Sequence, residues 1–213
     1  MKFLIRKPKA AFVGFGEVNT PRDIIERKCG EAAAHLERAG LELVKTAPVS
    51  DDPAGKQPAR AAAELEKEKF DVLIICVAGW IPSWAVLSVI EHFRHKPMIL
   101  LGLTGWEEGG RFVTTADQAG TTALRKPMAD MGYNFKYVVN RCGGGLPLNE
   151  IMTYCRAAAA AQMLKGSLIG MAGYRDMRLY GTMYDGVSLK GKTGVEADCF
   201  YDRKTIPDIF QKS

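Results

Sequence analysis

The chain has 213 residues, of which 47% are hydrophobic and 25% are charged, with 22 glycines and 10 prolines. These fractions are close to the globular average, so they exclude a wholly disordered protein. The apolar runs are too short and too interrupted to span a bilayer. The length suits either one α/β domain with a substantial extra segment or two small domains.

The net charge is +5, because the chain has 29 Lys and Arg residues and 24 Asp and Glu residues. The basic residues are interspersed with acids, as between Glu64 and Lys69, so the sequence predicts no stripe for nucleic acid. The first nine residues hold too few apolar side chains for a signal peptide, and the five cysteines form no CxxC pair. We therefore expect a cytoplasmic protein with reduced thiols that binds neither nucleic acid nor membranes.

Short β-rich runs alternate with longer helical stretches, a pattern typical of βαβ units that build a parallel sheet. The clearest strand, Val72–Val77, is continuously apolar, as expected of a central strand covered on both faces. In chain order, the predicted elements are strand Ala10–Phe15, a helix from Pro21 to about Gly40, strand Leu41–Thr46, helix Pro58–Lys69, strand Val72–Val77, helix Ser83–Phe93, strand Met98–Leu103, helix Asp117–Met131, strand Phe135–Asn140 and helix Asn149–Lys165.

Three local features refine these elements. Thr20 is predicted to cap the first helix, whose first position is Pro21, because a proline there loses no hydrogen bond. Residues 104–113 are interpreted as a loop. Pro127 is predicted to break or bend the fourth helix near its end.

The five strand and helix pairs predict an α/β fold with a doubly wound parallel sheet, flavodoxin-like or Rossmann-like, over residues 1–166. A further strand at Leu168–Gly173, a helix at Tyr184–Leu189 and a strand at Val195–Phe200 follow. We interpret residues 167–213 as the incomplete start of a second similar domain, consisting of its first βαβ unit.

Ligands of open α/β sheets bind outside the carboxyl ends of the strands, so the loops there are the ones that matter. The side chains of these loops with suitable chemistry for a small polar ligand are Glu17, Asn19, Arg22, Trp80 and Trp106. A tryptophan face stacks on the apolar face of a sugar, and an arginine directs several donors at hydroxyls or a carboxylate.

Two of these residues have a structural alternative. Trp80 fits equally a packed loop or a subunit contact. Arg22 fits equally an ion pair with Glu26, which lies one helical turn later.

Two other motifs favour structural roles over phosphate or metal binding. The glycines Gly14 and Gly16 favour a tight turn over a phosphate cradle, because the third glycine of the fingerprint is missing and Glu17 would oppose a phosphate. His92 and His95 favour cations at a helix end over metal ligands. The residues alone therefore predict no metal site and leave the catalytic residues unknown.

Several longer runs carry a family resemblance. They are Asn19–Glu26 (NTPRDIIE), Cys76–Ser83 (CVAGWIPS), Leu101–Trp106 (LGLTGW), Thr114–Thr122 (TTADQAGTT), Gly173–Met177 (GYRDM) and Gly181–Asp185 (GTMYD). In order and spacing these runs closely resemble the N-terminal region of the L-fucose isomerase and L-arabinose isomerase superfamily, in its fucose-isomerase-like branch.

The resemblance implies an aldose–ketose isomerase of consecutive Rossmann-like domains that uses Mn²⁺ or a similar divalent ion. In this family the metal ligands and the acid/base carboxylates belong to the later domains, and the first domain reaches over the cleft of a neighbouring subunit. By that analogy Trp80 stacks on the substrate and Arg22 binds it, each facing the active site of another chain.

The sequence ends near the first βαβ unit of the second domain, before the region where the resemblance implies Glu, Asp and His metal ligands. We therefore expect the N-terminal substrate-capping and oligomerisation part of a sugar isomerase, inactive alone and with no cofactor of its own. It would act on a sugar as a homo-oligomer or with a C-terminal partner polypeptide. The alternative is a stand-alone sugar or small-metabolite binding module without catalysis.

Overall fold

The structure is a computed structural model, and it describes residues 6–140, 142, 144–172 and 177–200. The chain divides into two compact units, Met1–Ala159 and Ala160–Ser213. The predicted domain boundary between residues 166 and 167 stays a prediction. Most of the Gly173–Met177 run and all of residues 201–213 lie outside the described residues.

The first unit alternates strands and helices along the chain. In order, the elements are β1 (Lys9–Phe15), α1 (Arg22–Arg38), β2 (Glu42–Lys45), α2 (Lys56–Glu66), β3 (Val72–Val77), α3 (Ser83–Ile90), a 3-10 turn (Glu91–Phe93), β4 (Met98–Gly102), β5 (Trp106–Glu108), β6 (Arg111–Val113), α4 (Asp117–Asp130), β7 (Phe135–Val139) and α5 (Leu148–Lys165). The helix α5 continues beyond Ala159 into the second unit.

Five strands form one parallel sheet in the order β2-β1-β3-β4-β7. The strand β3 lies at its centre, and all six of its residues are buried. Side chains of α1 and α5 share one buried cluster with the sheet, whereas those of α2, α3 and α4 share the other. Helices therefore cover both faces, which confirms the predicted doubly wound α/β fold of flavodoxin-like strand order.

The start of α1 differs from the prediction, whereas its end agrees with it. The helix begins at Arg22, and the carbonyl of Pro21 accepts hydrogen bonds from two amides of the first turn, so Thr20 is not its cap. At the other end, the amides of Gly40 and Leu41 donate to the carbonyls of Glu37 and Leu36, and Gly40 has a φ of +99°. This is a Schellman ending, which glycine adopts without steric cost.

The segment predicted as a loop at residues 104–113 contains an antiparallel hairpin of β5 and β6. Glu108 pairs with Arg111, so the turn has only two residues, Gly109 and Gly110, with φ values of +57° and +74°. Two adjacent residues with positive φ are typical of a type I′ turn, which suits two glycines. The loop prediction was wrong because strands of three residues carry little periodic signal.

The helix α4 runs through Pro127 to Asp130, so the predicted break does not occur. The carbonyl of Pro127 accepts from the amide of Met131, which continues the helical pattern to its end. A proline this near the end removes one hydrogen bond without ending the helix.

In the second unit, β8 (Leu168–Ala172) and β9 (Glu196–Phe200) pair in parallel, connected through α6 (Gly186–Thr193). The carboxylate of Asp185 accepts a hydrogen bond from the amide of Ser188 at 3.0 Å and caps α6, which explains why the helix begins two residues later than predicted. Among the described helices, none combines the length and the apolar character that crossing a membrane requires.

Candidate functional site

The loop after β1 is fixed to both of its neighbours at the carboxyl edge of the sheet. The amide of Glu17 donates to the carbonyl of Trp80 at 2.7 Å, and the amide of Gly16 donates to the carbonyl of Val49 at 3.2 Å. The amide of Val18 donates to the carboxylate of Asp51 at 2.8 Å. These bonds join the loop after β1 to the segments that follow β2 and β3.

A small cavity of about 110 Å³ lies beside this loop. It is lined by residues of the loop, of α1 and of the segment after β2, namely Gly16, Glu17, Val18, Thr20, Arg22, Ile25, Pro48, Val49, Ser50 and Gln57. Two predicted site residues, Glu17 and Arg22, therefore meet here. Asn19 is exposed and does not line this cavity.

Arg22 makes the ion pair that the sequence left open as an alternative. Its Nε donates to the carboxylate of Glu26 at 2.7 Å, and the Arg22 side chain is 61% exposed. Such an exposed pair contributes only about 0.3–0.5 kcal/mol, so the guanidinium remains available to a ligand.

Trp80 is 37% exposed at the end of β3. Its backbone is fixed, because its amide donates to the carbonyl of Thr115 at 2.7 Å while its carbonyl accepts from Glu17. Trp84, in the first turn of α3, is also exposed. Trp80 lines neither of the two cavities described here.

A larger cavity of about 410 Å³ lies between α1 and the segments that follow β4 and β7. It is lined by Arg27, Lys28, Glu31, Ala32, His35, Leu103, Thr104, Gly105, Trp106, Glu107, Asn140, Cys142, Gly145 and Leu146. Trp106 is the one predicted site residue in this lining. The structure therefore separates Trp106 from Glu17 and Arg22, which line the small cavity.

Lys28 is the residue of this larger cavity that the sequence analysis missed. Its side chain is 6% exposed, and its ammonium donates to the carboxylate of Asp117 and to the hydroxyl of Thr115, the latter at 2.9 Å. The hydroxyl of Thr115 donates onward to the carbonyl of Ala78 at 2.6 Å. The Lys28 nitrogen also lies 5.5 Å from the ring centroid of Trp106.

The sequence held a signal for the burial of Lys28. The residue comes three positions after Ile25 and four before Ala32, both on the apolar stripe of α1. Residues at these spacings share one helix face, so Lys28 is predicted to face the core. A lysine is almost never buried unless it is paired, and the acid that pairs with it is distant in sequence.

Two further polar groups border the larger cavity. The guanidinium carbon of Arg27 lies 5.1 Å from the Trp106 ring centroid, and Arg27 pairs with Glu31 at 3.4 Å. The side-chain oxygen of Asn140 accepts from both the amide and the hydroxyl of Thr104, at 2.9 and 2.8 Å. Among the described residues, no acceptor bonds the side-chain nitrogen of Asn140, so this nitrogen can donate to a ligand.

The glycines at the end of β1 and just after it, Gly14 and Gly16, allow close packing. A Cβ on Gly14 would lie 2.3 Å from the sulfur of Cys29, and one on Gly16 would lie 2.4 Å from the Cδ1 of Ile25. Such distances are far shorter than van der Waals contact, so these positions let α1 approach the sheet closely.

The buried thiols are core groups. A hydrogen bond with Cys29 and burial raise the pKa of the Cys76 thiol. Burial raises the pKa of Cys155 to about 12. Both groups are therefore protonated at neutral pH and unsuited to nucleophilic chemistry.

The Mn²⁺ implied by the resemblance finds no matching donor set in the described residues, which contain no group of three His, Cys, Asp or Glu side chains placed to hold an ion. Of the histidines noted above, His92 pairs through Nδ1 with Glu66 at 2.7 Å. We derive no chemical step through a metal for this part of the chain.

The carboxyl edge thus carries two separate candidate sites. One is the small cavity lined by Glu17 and Arg22, beside which the Glu17 amide bonds the backbone of the exposed Trp80, and the other is the larger cavity that joins Trp106 to the buried Lys28. Neither a protein-family model nor a curated protein matches the chain.

Proposed function

We propose that this chain is the N-terminal, substrate-capping and oligomerisation part of a sugar aldose–ketose isomerase of the fucose-isomerase-like kind. The observation that carries the proposal is the hydrogen bond from the amide of Glu17 to the carbonyl of Trp80, at 2.7 Å. It joins a polar loop to the backbone of an exposed tryptophan at the edge where α/β sheets bind ligands. We call the surface formed by Glu17, Arg22 and Trp80 the capping surface.

The chemistry of the capping surface suits a neutral sugar. Trp80 offers an exposed aromatic face for the apolar face of a sugar ring. Arg22, whose charge Glu26 compensates, supplies donors to hydroxyls, and Glu17 supplies an acceptor. Because Trp80 is exposed and lines neither cavity, the sugar would be enclosed by a second polypeptide that packs against this edge and excludes water.

The role of this chain in the proposal is to bind and orient the sugar. The manganese-type ion and the acid/base carboxylates would belong to a C-terminal partner polypeptide or to later domains. The βαβ unit of β8, α6 and β9 would be the opening unit of the second Rossmann-like domain. A cytoplasmic location is also part of the proposal.

Reconstitution tests the proposal. The chain is mixed with a separately expressed polypeptide that carries the later domains of a fucose-isomerase-like enzyme, and conversion of L-fucose and L-arabinose to the ketose is measured with and without Mn²⁺. We expect the two polypeptides to associate and conversion to rise. Trp80→Ala should lower the conversion about tenfold or more, since stacking and buried area are lost together.

Trp84→Ala is the matched control, because Trp84 is also an exposed tryptophan but lies outside the capping surface. Its conversion should equal that of the wild type. Conversion that does not depend on the chain, or that falls equally in both variants, contradicts the proposal. The alternative of a stand-alone binding module draws support from a different feature, the larger cavity beside Trp106.

A further inference from the structure

We propose that the 410 Å³ cavity beside Trp106 is a second binding site, which takes a neutral polyhydroxylated small molecule such as a monosaccharide or an alditol. Its volume lies within the range of about 300–1,000 Å³ of small-molecule pockets. The site is distinct from the capping surface, because neither Glu17, Arg22 nor Trp80 lines it. Every lining residue that the structure describes belongs to the first unit, so the site is proposed for this polypeptide alone.

Lys28 is the group that makes this cavity more than a surface groove. An ammonium has three N–H donors, and Lys28 directs two of them to oxygens of Thr115 and Asp117. The third has no oxygen acceptor among the described residues and lies near the Trp106 ring. A hydroxyl oxygen of a ligand in the cavity would accept from this third donor, on a lysine side chain that is only 6% exposed.

Asp117 and Thr115 hold the ammonium in place. The Asp117 side chain is fully buried, and its other oxygen accepts from the amide of Gln118 at 3.0 Å. Thr115 is itself fixed to the carbonyl of Ala78. Lys28 is therefore a donor whose position is set before a ligand arrives, which lowers the entropy cost of binding.

Trp106 supplies the apolar wall. Its ring lies under two cations, of which Arg27 is 47% exposed and held only by a long ion pair to Glu31. Exposed pairs of this kind are weak, so a ligand can displace the guanidinium from the ring at small cost. Stacking of a sugar on Trp106 would replace this cation–π contact.

The charge of the lining favours a neutral ligand over an anion. Among the described lining residues, the two cations Arg27 and Lys28 are each paired with a carboxylate, of Glu31 and of Asp117, and Glu107 adds a further negative charge. A phosphate or a carboxylate would therefore have to compete with these carboxylates for both cations. Hydroxyl groups, by contrast, match both the donors of Lys28 and Asn140 and the acceptors of the two glutamates.

Calorimetric titration of the full chain tests the site. The neutral probes are L-fucose, L-arabinose, L-fucitol and L-arabinitol, and the anionic probes are L-fuconate and inorganic phosphate. We expect at least one neutral probe to bind and to bind more tightly than either anion. Heat with none of the neutral probes, or tighter binding of an anion, overturns the inference.

Variants locate the binding. Trp106→Ala should weaken the affinity about tenfold or more through lost stacking, and its partly exposed position makes misfolding a small risk. Trp84→Ala is the matched control, because Trp84 is an exposed tryptophan that lines neither cavity, and it should leave the affinity within about twofold. Unchanged affinity in Trp106→Ala, or a loss in Trp84→Ala instead, overturns the inference.

A double variant tests Lys28 without leaving a buried charge alone. In Lys28→Met/Asp117→Asn both charges are removed, so the fold is preserved better than in either single variant. Loss of a charge-assisted hydrogen bond should weaken the affinity about 10- to 100-fold. Equal affinity in the folded double variant contradicts the role of Lys28. Because no partner polypeptide is present, failure here is distinguishable from failure of the reconstitution assay.

Discussion

The ammonium of Lys28 in α1 donates to the carboxylate of Asp117, the first residue of α4, although the two helices cover opposite faces of the sheet. The pair meets over the carboxyl end of β3, where Thr115 bonds both Lys28 and the carbonyl of Ala78. A buried ion pair thus connects the two helical layers at the edge that carries both candidate sites.

Removing one member of this pair should be costly. Lys28→Met leaves the Asp117 carboxylate buried without its cation, so we expect the free energy of unfolding to fall by about 3–5 kcal/mol. Lys28→Met/Asp117→Asn should recover much of that loss, because no charge is then buried alone. Urea unfolding of the two variants measures the difference. A double variant less stable than Lys28→Met contradicts the pairing.

Substituting two glycines of β1 and α1 should change the stability in opposite directions, because α1 packs closely on β1 at only one of them. Gly14→Ala should destabilise by about 1–3 kcal/mol, because its Cβ would overlap the sulfur of Cys29. Gly30→Ala, inside α1 with no atom within 4 Å of the new Cβ, should stabilise by about 0.5–1 kcal/mol. Thermal unfolding checks both, and a shift of the same sign in both variants contradicts this packing.

The two-glycine turn sets the hairpin that carries Trp106. Gly109→Val should destabilise the hairpin by about 1–2 kcal/mol, because a β-branched residue is strained at a φ of +57°. Gly109→Asn is the tolerated control, since asparagine adopts this conformation readily. We expect weaker probe affinity at the larger cavity in Gly109→Val only, measured by calorimetry. Equal probe affinities in the two variants would show that the conformation of the turn does not affect binding at the larger cavity.

The buried thiol of Cys155 predicts a pH dependence. Its pKa rises from 9.0 to about 12 on burial, so the folded protein keeps the proton while the unfolded chain loses it. Stability is therefore retained below pH 9 and lost between pH 9 and about pH 12, by up to about 1.4 kcal/mol per pH unit. Urea unfolding at pH 8 and pH 10 should show a smaller loss in Cys155→Ala than in the wild type. Equal losses in the two proteins contradict the shift.

The fold of the first unit was predictable from the sequence because its central strands β3 and β4 are continuously apolar and its helices periodic. Val72–Val77 was identified with the bounds that the structure has. The β5–β6 hairpin was missed because three-residue strands contain less than two full periods. The start of α6 was misplaced because its beginning depends on the Asp185 side chain rather than on periodicity.

The candidate site was predictable only in part. Strand-end loops identified Glu17, Arg22, Trp80 and Trp106, but not that Trp106 lies in a separate cavity. Lys28 was missed because its acid, Asp117, is 89 residues away, and such a pairing depends on the tertiary fold. Which side chains share a cavity is a property of the whole sheet edge, which no local pattern encodes.

The proposed role of the capping surface is to bind the sugar that a partner polypeptide converts. The most direct measurement is the conversion of L-fucose or L-arabinose by the reconstituted pair in the presence of Mn²⁺, compared between wild type, Trp80→Ala and Trp84→Ala. Conversion should require the chain, fall about tenfold or more in Trp80→Ala and stay unchanged in Trp84→Ala. Equal conversion with and without the chain would contradict a role of the capping surface in sugar binding.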